Sequence, residues 1–202
     1  MPRGLIATFA LAVAAALGAP ASLAGDVTLE LRDTSGKPLA DAVIYAMPSR
    51  GAGPTVPVHA RVIVDQVNKE FVPRVSIVQA GTEIQFPNSD NIRHSIYSFS
   101  AAKVFTTKLY SGREAAPVLF DKTGLIVLGC NIHDAMVAWV IVVDTPWFAK
   151  SGADGSATIR DLPAGDYQLS AIAPEPDLTA PAFELHIESA PLRQALTLKA
   201  GA

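Results

Sequence analysis

The most constraining feature of the sequence is Cys130-Asn-Ile-His133-Asp-Ala-Met136. A thiol, an imidazole and a thioether follow one another here at a fixed three-residue step. Apolar runs at Leu125 to Leu128 and Val137 to Val143 flank the motif, and both have the length and β-branched composition of buried strands. The pattern predicts a tight loop between two strands, with three potential metal ligands held close together.

A second imidazole, His94, lies far upstream at the end of Asn88-Ser-Asp-Asn-Ile-Arg-His94. One Cys and two His ligands with a weakly held axial Met suit copper that cycles between Cu(I) and Cu(II). The alternatives are a buried, inert Cys130 and a Met136 that only fills the core. The matched spacing favours one type 1 (blue) copper ion, with His94, Cys130, His133 and Met136 as its ligands.

Residues 1–24 have the order of a secretory signal peptide. Arg3 gives a positive start, Leu5 to Leu17 form a short apolar core, and small residues precede the expected cleavage after Ala24. The apolar core is too short to cross a bilayer comfortably, so no membrane span is expected. An exported chain with 1 Cys cannot form an internal disulfide, and metal binding would protect that thiol. The expected location is periplasmic or otherwise extracytoplasmic.

Charge and motif content exclude two large classes of function. Lys and Arg total 16 against 19 Asp and Glu, a formal net charge of −3, and the basic residues are scattered. This balance argues against nucleic acid as a partner. The sequence has no defensible Ser-His-Asp or paired-carboxylate pattern, and four protein ligands leave no open position on the metal. The chain is therefore not expected to be an enzyme.

Short strands at intervals of about 8–12 residues predict an all-β fold of the sandwich or barrel type. At Val27 to Asp33, for example, apolar residues alternate with polar ones. No long amphipathic helix competes with this interpretation. Near the C-terminus, three prolines between Pro174 and Pro181 predict a loop.

The segment from Phe71 to Val143 carries several short motifs in a fixed order. They are Phe71-Val-Pro73, Gly81-Thr-Glu-Ile-Gln-Phe-Pro-Asn88, His94, Lys122-Thr-Gly124 and Cys130-x-x-His133-x-x-Met136. On these residues the segment resembles the cupredoxin family, most closely its small amicyanin-like and pseudoazurin-like members. The resemblance implies a Greek-key β-sandwich with copper near one end. It also implies that His133 presents its ring edge at the surface, among apolar residues such as Ile132 and Ala135, as an electron port.

The whole chain is similar to exported cupredoxin-like proteins often labelled as methylamine-utilisation proteins. The shared phrases are Gly129-Cys-Asn-Ile-His-Asp134 and Tyr97-Ser-Phe-Ser100. One position departs from the cupredoxin pattern. The family usually has Asn directly after the first His, where it ties the two ligand loops together, and this chain has Ser95. A hydroxyl has a shorter reach, which bears on loop rigidity and reduction potential.

A second resemblance is to the carboxypeptidase regulatory-like, or transthyretin-like, β-sandwich. Val27-Thr-Leu-Glu-Leu-Arg-Asp33 and Gly36-Lys-Pro-Leu-Ala-Asp-Ala-Val43 are similar to its opening hairpin, and Ala153-Asp-Gly155 and Leu162-Pro-Ala-Gly-Asp-Tyr167 to its later strands. The hallmarks are split, so we expect a smaller, discontinuous domain formed by 25–57 and 145–202. The cupredoxin domain, 58–144, is then inserted into it, which an exposed loop tolerates.

The leading functional hypothesis is an exported blue-copper electron carrier. Its partners would be redox proteins, such as a dehydrogenase on one side and a cytochrome c or an oxidase on the other. A second hypothesis is a non-redox module, in which copper is structural or stored and the transthyretin-like part binds carbohydrate or protein. Copper delivery to another exported enzyme is a third.

Overall fold

The computed structural model of the chain describes residues 24–50, 61–112, 116–188 and 190–200. Apart from Ala24, the predicted signal peptide lies outside these ranges, and so does the predicted domain boundary between residues 57 and 58. Within the described ranges, no helix is long and apolar enough to cross a membrane.

Every regular element in the described part of the chain is a β-strand, which confirms the all-β prediction. Most strands alternate buried and exposed positions, as expected where one face of a sheet covers a core. The strands are β1 (Ala24–Arg32), β2 (Val43–Pro48), β3 (Arg61–Ile63), β4 (Asp65–Val67), β5 (Glu70–Val72), β6 (Val75–Gln79), β7 (Thr82–Gln85), β8 (Ile96–Ser100), β9 (Lys103–Thr106), β10 (Val118–Phe120), β11 (Gly124–Cys130), β12 (Val137–Val143), β13 (Phe148–Lys150), β14 (Ser156–Pro163), β15 (Gly165–Ala173), β16 (Leu178–Ile187), β17 (Leu192–Thr197) and β18 (Lys199–Ala200).

One hydrophobic core is built from both ends of the described chain. It lies between the sheet β14-β1-β17 and the sheet β13-β2-β15-β16-β18. Val27, Leu29 and Leu31 of β1 are fully buried in it. Strand β1 pairs antiparallel with β14 and parallel with β17. The N-terminal strands β1 and β2 thus pair with strands that follow residue 147.

A second core lies between the five-stranded sheet β6-β12-β11-β8-β9 and the three-stranded sheet β10-β7-β3. Strands β4 and β5 form a separate hairpin beside it. Phe86, Phe120 and Ile126 are among its fully buried side chains, and Cys130 and Met136 belong to the same cluster. The predicted ligand loop therefore sits on a packed sandwich, not on an isolated hairpin.

The two cores are joined by a third, smaller apolar cluster. Val43 of β2 packs there with Val75 of β6 and with Ile141 and Val143 of β12. Beside it, Lys150 Nζ donates to the Val75 carbonyl at 3.0 Å and pairs with the Asp41 carboxylate at 2.6 Å. Burial of these side chains holds the outer face of sheet β13-β2-β15 against part of the outer face of sheet β6-β12-β11.

The loop predicted from Pro174 to Pro181 is confirmed at 174–177, which form a turn, and is wrong at 178–181. Strand β16 begins at Leu178 and continues through Pro181, pairing with β15. The register of that pair shifts between Leu169 and Ala171, opposite Pro181. A bulge is one of the few places in a sheet where a residue without an N–H is tolerated, so proline does not end this strand.

Candidate metal centre

The ligand loop begins where β11 ends, at Cys130, and closes before β12 begins. The amide of Met136 donates to the carbonyl of His133 at 3.0 Å, which folds the loop into a turn. At the other end, the amide of Asn131 donates to the carbonyl of Ser95 at 3.1 Å. The antiparallel pairing of β11 and β12 thus brings both ends of the motif together, as its spacing predicts.

His94 reaches the loop from a distant part of the chain. It lies just before β8, and the last residue of β11, Cys130, pairs with the first residue of β8, Ile96. Its backbone exchanges two hydrogen bonds with Tyr110, of 3.0 and 2.9 Å. The His94 side chain is 0% exposed. Sheet register, rather than local sequence, places this imidazole beside the thiol.

Three donor atoms converge at the end of the second core. Cys130 Sγ lies 3.5 Å from His94 Nδ1 and 4.0 Å from His133 Nδ1, and all three lie within 4.8 Å of one another. The two imidazole rings have centroids 5.1 Å apart. Metal–sulfur bonds of about 2.3 Å and metal–nitrogen bonds of about 2.0 Å, at trigonal to tetrahedral angles, separate sulfur from nitrogen by about 3.5–4 Å. The three donors therefore fit one metal ion.

Met136 is 1% exposed and packs in the same buried cluster as Cys130. Both the axial-ligand hypothesis and the alternative of a core-filling thioether expect this burial. His133 is only half-buried, and its neighbours Ile132 and Ala135 are exposed. The polar residues Asn131 and Asp134 are exposed beside them.

Asp90 is a site residue that the sequence analysis missed. Asp90 lies four residues before His94, and its carboxylate accepts a hydrogen bond from His94 Nε2 at 2.7 Å. The amides of Asn68 and Lys69 donate to the same carboxylate. With Nε2 protonated, the Nδ1 lone pair of His94 faces the thiol, so Asp90 sets the tautomer that a metal needs.

The charge of Asp90 is maintained by these hydrogen bonds. Partial burial, the largest single influence, raises the pKa of its carboxyl. The bonds donated by Lys69, His94 and Asn68 together outweigh burial and hold the pKa below its ordinary value of 3.8. Asp90 is therefore ionised at neutral pH. The only sequence signal for this hydrogen bond was the four-residue spacing between Asp90 and His94, and an Asp four residues before a His is too common to predict that the two interact.

The loop that carries Asp90 is organised by Asn88, which is 4% exposed. Its side-chain amide donates to the carbonyls of Ile92 and Tyr110 at 2.8 and 3.0 Å, and its oxygen accepts from the Asp90 amide at 3.0 Å. Asn88 therefore holds the segment before His94 in one conformation.

Ser95 takes part in a tie between the two ligand segments. Asn131, directly after Cys130, donates from its side-chain amide to Ser95 Oγ at 2.9 Å. The Ser95 hydroxyl in turn donates to the Thr107 carbonyl at 2.8 Å. The longer side chain of this tie, Asn131, thus lies in the cysteine loop, and the shorter one, Ser95, follows His94. The short reach of Ser95 is compensated by the amide of Asn131.

Tyr110, whose backbone bonds to that of His94, forms a buried polar pair with Gln66. The Gln66 amide donates to the Tyr110 hydroxyl at 2.5 Å and to the Pro87 carbonyl at 3.0 Å, while Tyr110 donates to the Phe86 carbonyl at 2.6 Å. Burial, opposed by the Gln66 bond and aided by the charges of Asp65 and Cys130, raises the pKa of Tyr110 to about 12. Tyr110 is therefore a neutral structural group and no proton donor at ordinary pH.

Comparison with solved structures finds proteins similar to part of the chain. A copper-containing nitrite reductase from Thermus scotoductus SA-01 is 25% identical over 46% of this chain, with a TM-score of 0.40, and 25% of the reductase chain is covered. A pseudoazurin from Methylobacterium extorquens AM1 is 26% identical over 42% of this chain and 76% of its own, with a TM-score of 0.37. A purple cupredoxin from Nitrosopumilus maritimus is 22% identical over 42% of this chain and 99% of its own, with a TM-score of 0.36.

The chain thus spans about a quarter of the nitrite reductase that it matches. No model of a known protein family matches the sequence, and no curated protein does.

Proposed function

We propose that this chain is an exported type 1 copper protein that carries single electrons between extracytoplasmic redox partners. The observation that carries the proposal is the convergence of one thiol and two imidazole Nδ1 atoms within 4.8 Å. Thiolate suits Cu(I), imidazole suits both oxidation states, and a three-donor site of this kind is typical of blue-copper proteins. Bound copper would alternate between Cu(I) and Cu(II) and hold one electron at a time.

The proposed ligands are His94 Nδ1, Cys130 Sγ and His133 Nδ1, with Met136 as a weak fourth ligand. Asp90 supports the assignment because its bond to His94 Nε2 leaves Nδ1 free for a metal. The burial of His94 and Cys130, 0% and 3% exposed, supports it as well. Buried donors exclude water from the metal and keep its surroundings apolar, which favours small rearrangement on electron transfer.

The residues around the proposed ligands make the two ligand segments rigid. The Asn131–Ser95 bond and the two backbone bonds between His94 and Tyr110 restrain both segments in the absence of metal. Ligands that move little between the two oxidation states allow fast electron exchange. Because all four proposed ligands come from the protein, no position is left for a substrate, and we propose a carrier rather than an enzyme.

The proposed partners are a dehydrogenase that donates electrons and a cytochrome c that accepts them. Export is supported by the signal-like features of residues 1–24. Mass spectrometry of the mature protein secreted by a bacterial host tests this part. A mature N-terminus at Gly25 is expected, and an intact N-terminus on a cytoplasmic protein contradicts it.

We also propose that 25–57 and 145–202 form one transthyretin-like domain into which the cupredoxin-like domain, 58–144, is inserted. The pairing of β1 with β14 and β17 supports this arrangement, as do the two separate core clusters.

Visible absorption of the copper-loaded protein tests the function. We expect an intense thiolate-to-Cu(II) band and reversible electrochemistry, and we expect Cys130→Ser to lose the band while keeping its β-sheet circular dichroism. Ser95→Ala serves as a control, since it alters the loop tie and keeps all ligands. Tight copper binding without the band or without reversible cycling would instead indicate storage or delivery of copper.

A further inference from the structure

The outer face of the five-stranded sheet β6-β12-β11-β8-β9 is divided into two halves. The half formed by β6 and β12 is covered by the chain itself. Val43, Tyr45 and Phe148 of the other core's outer sheet pack on it, against Val75, Ile77, Trp139, Ile141 and Val143.

The other half, formed by β11, β8 and β9, is apolar, and no element in the described part of the chain packs on it. We call it the open face and define it as Tyr97, Phe99, Val104, Leu125 and Val127. Phe99 is 80% exposed and Val104 67% exposed, and the two are cross-strand partners. None of the five carries a charge. Contiguous exposed apolar patches on a protein surface often mark interaction sites.

The open face is connected to the thiol-bearing strand through Tyr97. Tyr97 pairs with Gly129, the residue before Cys130. A Cβ atom at Gly129 would lie 2.5 Å from Tyr97 Cζ, so the phenol ring lies directly on the glycine backbone. Phe99 continues the contact outward, with its ring centroid 5.1 Å from that of Tyr97. Packed aromatic atoms thus lead from the backbone next to Cys130 to the surface, away from the half-buried His133.

We propose that the open face is a docking surface for a one-electron redox protein, with Tyr97 and Phe99 as its link to the Cys130 strand. This proposal rests on the proposed function. In the step concerned, the reduced centre gives one electron to the oxidised group of the partner, which is reduced by one electron. No bond forms or breaks and no proton moves. Tunnelling through packed atoms decays less steeply than across a gap, which is the advantage that the two rings supply.

The size and composition of the open face favour a redox partner over a second copy of the chain. A stable interface of standard size involves about 20–30 residues a side, whereas weak electron-transfer encounters lie at the small end of the range. Five apolar side chains suit the smaller class. The open face is also continuous with the half of the sheet on which the chain's own outer sheet packs.

Docking is tested by amide chemical-shift mapping with cytochrome c as the probe protein. The titration is run on the metal-free protein and on the Cu(I) form. We expect shifts at amides of β8, β9 and β11 in both forms, and loss of these shifts in Phe99→Glu. Leu119→Glu is the matched control, because Leu119 is an exposed apolar residue of β10 in the other sheet. Shifts confined to the amides around Ile132 and Ala135, or no shifts at all, overturn the proposal.

The link is tested by the rate of electron exchange between the copper-loaded protein and cytochrome c. We expect Phe99→Glu to lower the second-order rate constant about tenfold, the effect of losing an interface anchor, and Leu119→Glu to leave it unchanged. Tyr97→Leu should slow exchange while the shift map persists. Equal rates in all variants, including no exchange in any, overturn the proposal. Loss of the visible band in the parent protein would instead overturn the proposed function, while the shift map still reports on docking.

Discussion

Among single residues, Asp90 has the largest expected influence on the metal centre besides the ligands themselves. It accepts from the distal nitrogen of His94 and from two backbone amides. A carboxylate at this position orients the ring, fixes its tautomer and makes Nδ1 a better donor. The electron density that it supplies favours Cu(II) over Cu(I), so it should lower the reduction potential.

Asp90→Asn is expected to weaken Cu(II) binding by about 10–100-fold and to raise the reduction potential. A competition titration with a chelator and cyclic voltammetry measure the two quantities. Asp65→Asn is the matched control, because Asp65 accepts bonds from the neighbouring Ser89 and does not touch His94. Equal effects of the two variants would mean that Asp90 acts only by shaping the loop.

Tyr110 gives a pH-dependent prediction. Its pKa is raised from 10.0 to about 12, so the folded protein holds the phenol proton more tightly than the unfolded chain does. This contribution to stability is complete below pH 10.0 and is lost as the pH rises through about 12. Tyr110→Phe should cost about 1–3 kcal/mol at neutral pH, since Gln66 and the Phe86 carbonyl lose a buried partner.

The same variant should be less sensitive to alkali. Urea unfolding of the metal-free protein on either side of pH 10.0 measures the free energy of unfolding. The difference between parent and Tyr110→Phe should shrink at the higher pH. A constant difference would show that Tyr110 ionises as readily in the folded protein as in the unfolded chain.

At the scale of elements, the close contact between β8 and β11 explains why a glycine precedes Cys130. Any side chain at position 129 would overlap the ring of Tyr97. Strand β11 is otherwise apolar on both faces, so a glycine there is costly unless the close approach is useful. The contact fixes the register in which Cys130 faces Ile96 and therefore the distance from the thiol to His94.

Gly129→Ala should destabilise the protein by about 1–3 kcal/mol through overpacking. Combined with Tyr97→Ala, the same substitution should cost much less than it does alone. A double-mutant cycle from urea midpoints measures this coupling. Additive effects would contradict the close contact between ring and glycine. The absorption band is a second readout, because a shifted β11 would also perturb the copper site.

For the whole molecule, copper binding should stabilise the two cores unequally. The proposed ligands belong to the second core and its loops, and the first core contacts it through a small apolar cluster and polar bonds such as those from Lys150 to Val75 and from Arg74 to Glu175. Binding energy at the site adds to the stability of the unit that contains it. The first core should gain only what passes through these contacts.

Native-state hydrogen exchange of the metal-free and copper-loaded forms measures this difference by strand. We expect greater protection in β6, β8, β11 and β12 after copper is added, and little change in β1, β14 and β15. The Cys130→Ser variant provides the baseline without the thiolate. Equal gains throughout the molecule would mean that both cores unfold as one unit, and would argue against an independently folded inserted domain.

Local sequence was sufficient to predict several strands and the ligand loop from Cys130 to Met136. Alternating apolar residues predicted β1, and a continuous apolar, β-branched run predicted the strand at Val137–Val143, because side-chain period and composition are local properties. Cys130, His133 and Met136 lie within one turn-sized loop, so their spacing predicted a common site. Proline near Pro181 was misleading, since its effect on a strand depends on which edge or bulge it occupies.

What the sequence determined by itself was therefore the all-β character and the composition of the ligand loop. Tertiary structure decided the position of His94, its bond to Asp90, the Asn131–Ser95 tie and the ring of Tyr97 on Gly129. Each of these joins residues from separate strands, so each depends on sheet register, which is set by the packing of an entire core. No short window of sequence contains that information.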